Sequence, residues 1–176
     1  IHGSRSPPEP APSSMIITFG PWIEADGDIS EAIDFCRFYA VEMRKLAKPV
    51  VTQSVPGERC VQTWTPRGVG VAIAPWNFPL AILTGLVVAP LVAGNCVIMK
   101  PAEQTSIIGA VLMDILVESG VPAGVLNFLP GFGEDVGAHL VGVLAAHEGL
   151  GLGETVRQQG RVMARQFVRR AQRADE

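Results

Sequence analysis

The stretch Gly68–Lys100, GVGVAIAPWNFPLAILTGLVVAPLVAGNCVIMK, decides how this chain is read. It carries no charge from Gly68 through Met99. A run of that length passes a hydropathy criterion for a membrane span, which needs about 20 apolar residues. Pro75, Pro79 and Pro90, with Gly85 and Gly94, divide it instead, and its longest helical piece, Leu80 to Ala93, is too short to cross a bilayer. What remains is a buried strand over Val69–Ala74, a helix over Leu80–Ala93 kinked at Pro90, and a second strand over Cys96–Lys100.

The same alternation continues downstream. Ser106 is placed to cap a helix running to Ser119, with Ile107, Ile108, Val111, Leu112, Ile115 and Leu116 on one face. Gly120 stops it, and Val125–Leu129 reads as a third strand. Strand–helix–strand–helix–strand with continuous apolar strands predicts an α/β fold: a Rossmann-like parallel sheet, covered on both faces by flanking helices. Upstream, Asp28 followed by Glu31 gives a capping signal, and Ile29, Ile33, Cys36, Ala40 and Met43 recur at helical spacing. Between the two regions, PVVTQSV and CVQTWT flank Pro56-Gly57-Glu58-Arg59, which predicts a β-hairpin flap beside the sheet.

Ligands of such sheets sit beyond the carboxyl ends of the strands. Those ends read Pro75-Trp76-Asn77, Lys100-Pro101-Ala102-Glu103 and Pro130-Gly131-Phe132-Gly133. Asn77 lies between two aromatics in a turn stiffened by Pro75 and Pro79. Its carboxamide either serves as a preorganised donor to an oxyanion or caps the helix that follows. Lys100 and Glu103 either grip a ribose or form a solvated ion pair at a helix start. A carboxylate there repels a 2′-phosphate, which favours NAD over NADP. The run GFGEDVG is one residue longer than the dinucleotide fingerprint GxGxxG, so it supports a cofactor loop only weakly.

The 176 residues allow one domain or a part of a larger one, and 48% hydrophobic residues suffice for a core. A formal charge of -3 gives no reason to expect nucleic acid as a partner. Cys36, Cys60 and Cys96 are odd in number and have no CxxC spacing; with no secretory pattern at the start, they point to a reducing compartment, the cytoplasm. His2, His139 and His147 have no ligand spacing, so no metal site is expected. Residues 1–18, rich in Pro and Ser, read as a disordered or non-native leader outside the fold. Residues 19–141 form the folded unit. Residues 142–176 form a separate tail, in which Arg157, Arg161, Arg165, Arg169 and Arg173 would make a basic helical stripe.

In their order and placement, IAPWNFP, GNCVIMKPAEQTS and NFLPGFGEDVG resemble the aldehyde dehydrogenase superfamily, and the match extends back through PWIEADGDISEAIDFCRFYA and TPRGVGV. The detail most resembles the branch that oxidises L-glutamate γ-semialdehyde, the open form of 1-pyrroline-5-carboxylate, in proline catabolism. The resemblance covers about Phe19 to Val141. It implies that Asn77 is the catalytic donor to the oxyanion formed when a thiolate attacks the aldehyde. It further implies that Ile73, Ala74, Pro75 and Trp76 line the nicotinamide side of an NAD site. Lys100, Ala102 and Glu103 would then hold the adenosine ribose, and Gly133 the adenine-side wall. The hairpin resembles part of the family's oligomerisation flap, so self-association through it, or through exposed sheet edges, is expected.

The family's nucleophilic cysteine and general-base glutamate lie further downstream than any motif found here, and none of the three cysteines has the required context. The chain alone is therefore expected to be inactive. The alternative is a non-catalytic nucleotide-binding or oligomerising module built from the same family.

Overall fold

The structure, a computed structural model, describes residues 22–142. The expected leader and nearly all of the expected basic tail lie outside the described residues.

The elements follow as α1 (Trp22–Leu46), β1 (Val50–Val55), β2 (Glu58–Gln62), β3 (Val69–Ile73), α2 (Ala81–Val92), β4 (Cys96–Lys100), a 3-10 turn (Glu103–Thr105), α3 (Ser106–Glu118), β5 (Leu126–Phe128) and a π-helical turn (Gly133–Gly137). Strands β3, β4 and β5 pair in parallel in that order, as the alternating pattern requires. Ala72, Val97, Met99 and Leu126 point to one face of this sheet. Leu83, Val87 and Leu91 of α2 and Leu112 of α3 pack on them to form the core. On the opposite face Lys100 is covered, with Gly137 close to its side chain, but Val71 and Ile98 are half-buried and Ile73 is exposed. Cover on both faces is thus incomplete among the described residues.

Helix α1 forms a third layer over α2. Gly85 makes this possible, because a Cβ there would stand 3.2 Å from the ring of Phe35. The inward stripe of α1 runs through Ala25, Asp28, Ala32, Phe35 and Tyr39, with Ala32 buried. The face expected from periodicity was therefore rotated: Ile29, Ile33 and Cys36 are exposed. The stripe is set by Phe35, whose ring fits the notch at Gly85, and by Asp28, whose carboxylate meets the start of α2, rather than by hydropathy. In the same way α3 buries Gly109 and Leu112 but exposes Ile107, Val111 and Ile115. Ser106 is the first residue of α3, and its hydroxyl donates back to the carbonyls of Ala102 and Glu103 rather than capping the helix.

The hairpin forms as expected, turning at Pro56-Gly57 with Gly57 at φ +88°. Nearly all of its residues are exposed. At the amino ends of the parallel strands, Asn95 accepts from the backbone N–H groups of Arg67 (2.7 Å) and Gly68 (3.0 Å). It also donates to the carbonyl of Pro90 (3.0 Å).

Gly109 tests how tightly α3 seats on the sheet. A Cβ there would lie 2.9 Å from Pro101 Cγ and 3.2 Å from Phe128 Cε2, and the proline ring cannot swing away. Helix propensity favours Gly109→Ala by about 1 kcal/mol, whereas overpacking costs about 1–3 kcal/mol. The variant should therefore unfold at lower denaturant, and an unchanged or higher midpoint would contradict this packing.

A second test concerns pH. Cys96 opens β4 in a buried position, and desolvation raises its thiol above the ordinary value of 9.0. The folded chain therefore keeps this thiol neutral at a pH where the unfolded chain ionises it. Its contribution to stability is whole below pH 9.0 and is lost as pH rises through the folded value. The unfolding midpoint of Cys96→Ala should fall less steeply above pH 9.0 than that of the wild type; parallel curves would count against it.

Candidate functional site

The parallel register brings the three polar strand ends together. Ile73 pairs with Lys100, and the Ala74 N–H donates to the Lys100 carbonyl at 3.1 Å. Met99 pairs with Phe128, and the Leu129 N–H donates to the Met99 carbonyl at 2.9 Å. The chain therefore leaves the sheet at neighbouring points, as Pro75-Trp76-Asn77, as Pro101-Ala102-Glu103, and as Pro130-Gly131-Phe132-Gly133.

The first of these segments is strained. Phe78 has φ +49°, the one non-glycine positive φ among the described residues, a conformation that costs an L-residue roughly 1–2 kcal/mol. Its carbonyl accepts from the Ile82 N–H at 3.1 Å, so α2 starts directly on the strained residue. Ala74 is buried, whereas Ile73, Pro75, Trp76 and Asn77 are exposed. The Asn77 carboxamide has no hydrogen-bond partner among the described residues.

Asn77 does not cap α2. That position belongs to Asp28, which lies inside α1 rather than at its start. One carboxylate oxygen of Asp28 accepts from the Ala81 N–H at 2.8 Å and the other from the Leu80 N–H at 3.0 Å. A carboxylate at a helix amino terminus is favoured by the orphan amides and by the helix dipole. Capping across 52 residues carries no local signature, so the sequence showed only an Asp near a helix start. The bend at Phe78 did have a signal, in the two prolines that flank Trp76-Asn77-Phe78.

In the second segment Lys100 is 2% exposed, and its Nζ donates to the Pro101 carbonyl at 3.1 Å. This burial rules out a solvated Lys100–Glu103 pair. Among the described residues it leaves the ammonium with one carbonyl acceptor, although a buried charge ordinarily requires fuller pairing. Ala102 is buried. Glu103 is exposed as the first residue of the 3-10 turn, and its carboxylate accepts from Gln104 Nε2 at 3.2 Å.

In the third segment the two glycines differ in kind. A side chain at Gly131 would collide with Val136, so Gly131 shapes the turn. Gly133 opens the π-helical turn, and a Cβ there would meet nothing within 4 Å. Space is left above the backbone at Gly133, and a cation and a carboxylate stand on the adjoining strand end.

None of the cysteines reaches this rim. Cys60 is on the hairpin, Cys36 on the outer side of α1, and Cys96 at the opposite end of β4. Desolvation raises the thiols of Cys36 and Cys96, the reverse of what activates a nucleophile. No group of metal-ligating side chains occurs among the described residues, and no helix among them is long and apolar enough to cross a membrane.

Comparison with known proteins places the chain in a family. Residues 14–147 match the model of the aldehyde dehydrogenase family. The chain is 51% identical over 121 residues to 1-pyrroline-5-carboxylate dehydrogenase 2 of Bacillus subtilis, covering 69% of this chain and 24% of that protein. Among solved structures it resembles a 1-pyrroline-5-carboxylate dehydrogenase from Thermus with bound NAD, at a TM-score of 0.69 and 46% identity, covering 73% of this chain and 25% of that one. It also resembles proline utilization A from Bdellovibrio bacteriovorus, at a TM-score of 0.67 and 51% identity, covering 73% of this chain and 14% of that one. The chain thus spans about a quarter or less of the length of these relatives. With the family model matched across the whole described region, the chain belongs to the aldehyde dehydrogenase family.

Proposed function

We propose that this chain serves the NAD-linked oxidation of L-glutamate γ-semialdehyde to L-glutamate in proline catabolism. Its share is the oxyanion donor and the cofactor rim. The observation that carries this reading is the convergence of the Asn77 turn, the Lys100-Pro101-Ala102-Glu103 segment and the open backbone at Gly133 on one end of a parallel sheet. Relatives about 50% identical are 1-pyrroline-5-carboxylate dehydrogenases, and one structural neighbour holds NAD.

Each residue has a task in this reading. Asn77, exposed and without a competing partner among the described residues, directs its N–H at the oxygen that becomes anionic when a thiolate adds to the aldehyde. Lys100 and Glu103 hold the adenosine ribose, with Ala102 beneath it. The ammonium donates to a hydroxyl, and the carboxylate accepts from one. Gly133 leaves room for the adenine side. Ile73, Ala74, Pro75 and Trp76 flank the nicotinamide passage. NAD, when bound, supplies the hydride acceptor. The exposed Glu103 carboxylate disfavours a 2′-phosphate, hence NAD rather than NADP.

The attacking thiolate and the base that activates water are not among the described residues. The chain's only cysteines stand away from the rim. No NADH is therefore expected from the purified chain with the semialdehyde, and NADH formation that persists with all three cysteines replaced by Ala would overturn this division of labour. NAD near its Kd should stabilise the fold by only about 0.4 kcal/mol. The melting temperature should rise slightly with NAD, rise less with NADP, and stop responding in Glu103→Ala. An NADP shift equal to that of NAD, or an intact response in Glu103→Ala, would refute the ribose assignment.

The exposed hairpin favours a second role, as an oligomerising flap on the same rim-bearing module. A two-stranded hairpin is marginal by itself in water, and Val50, Val51, Val55 and Val61 are all exposed. Val51→Lys should shift sedimentation toward a smaller species; a wild-type monomer at every concentration would remove this role.

A further inference from the structure

We propose that Asp28 is a positioning residue for Asn77, acting from a different helix through the first turn of α2. The inference rests on the reading of Asn77 as oxyanion donor and extends it to a residue outside the strand-end motifs.

The segment from Pro75 to Pro79 hangs between two attachments. Upstream, the Ala74 N–H is held by the Lys100 carbonyl at 3.1 Å. Downstream, Asp28 holds Leu80 and Ala81 with one carboxylate oxygen each, at 3.0 and 2.8 Å. Between them Phe78 sits at φ +49° and is 55% exposed as a residue, so burial does not enforce that conformation. A strained backbone persists only where its surroundings over-determine it. Here the bonds from Ile82 N–H to the Phe78 carbonyl and from Thr84 N–H to the Leu80 carbonyl define the first turn of α2. Asp28 fixes where that turn begins.

Asp28 is itself well placed to act as a fixed point. It lies on the inward stripe of α1, half-buried, one turn before buried Ala32 and two turns before Phe35, which abuts Gly85 of α2. The two helices therefore pack by side chains further along and meet the loop through a paired, charge-assisted contact at its root. The Asn77 carboxamide has no partner of its own among the described residues, so its direction follows the backbone. Any freedom gained at Leu80 passes directly to it.

The test uses the full chain with Trp22→Phe and Trp64→Phe, which leaves Trp76, next to Asn77, as the sole tryptophan. On adding Asp28→Ala, we expect greater acrylamide quenching of Trp76 and at least tenfold faster hydrogen exchange at the Ile82 and Thr84 amides. The Val97 and Leu129 amides, bonded within the sheet region, should keep their rates. Asp28→Asn, which retains one acceptor oxygen, should restore part of both signals, and it is the variant to read if Asp28→Ala does not fold. Equal acceleration at all four amides with Trp76 quenching unchanged would reduce Asp28 to a general stabiliser and overturn the proposal, as would Asp28→Asn behaving like Asp28→Ala. These signals need neither cofactor nor substrate, so a failure of the oxyanion or ribose assignments would show separately.

Discussion

The parallel pairing of β4 with strands on both sides is the constraint from which the rest follows. β4 lies at the centre, and its backbone carbonyls at Met99 and Lys100 receive the amides of the two chains leaving its neighbours. Because the strands run the same way, every crossover must return to the opposite end through a helix. All three exits therefore fall on one rim. Polar residues far apart in sequence become neighbours there, with no hydrogen bond between the side chains of Asn77, Lys100 and Glu103 among the described residues. The core beneath is apolar, and the rim above it sets buried Ala74, Lys100 and Ala102 beside exposed Trp76, Asn77 and Glu103.

Much of this was legible in the sequence, and the reasons differ by element. The strands were visible because a central parallel strand is apolar on both faces, and Cys96–Met99 reads that way until Lys100 ends it. The glycines and prolines marked the ends of α2 and α3. The rim residues could be located once the strands were known, because the topology dictates which ends carry function. The residues alone left two readings open at Asn77 and two at Lys100 and Glu103, and the resemblance favoured one of each.

What could not be read was contact between elements. Hydropathy placed Ile29, Ile33 and Cys36 inward on α1, but the helix instead turns Ala32 and Asp28 to α2. The notch at Gly85 receives the ring of Phe35, and the start of α2 takes the carboxylate of Asp28. Asp28 had an ordinary explanation in its own helix, and nothing local contradicted it. Asn95 gave no signal at all, since an Asn after a Gly is common in any turn. Likewise, the sequence could not tell the two glycines of GFG apart. One prevents a collision with Val136, and the other faces open space, a distinction that depends on where a side chain five residues away comes to rest.

Asn95 has a mechanical consequence. It ties the amino ends of β3 and β4 and the end of α2 into one knot through its three hydrogen bonds. The sheet is thus tied at the end remote from the rim, while Asp28 ties the rim end at Leu80 and Ala81. Helix α2 lies between these two ties like a beam resting on two supports. One support sets where the strands begin and the other sets where the turn carrying Asn77 ends. Loss of the Asn95 tie would loosen the strand starts, whereas loss of the Asp28 tie would loosen the turn.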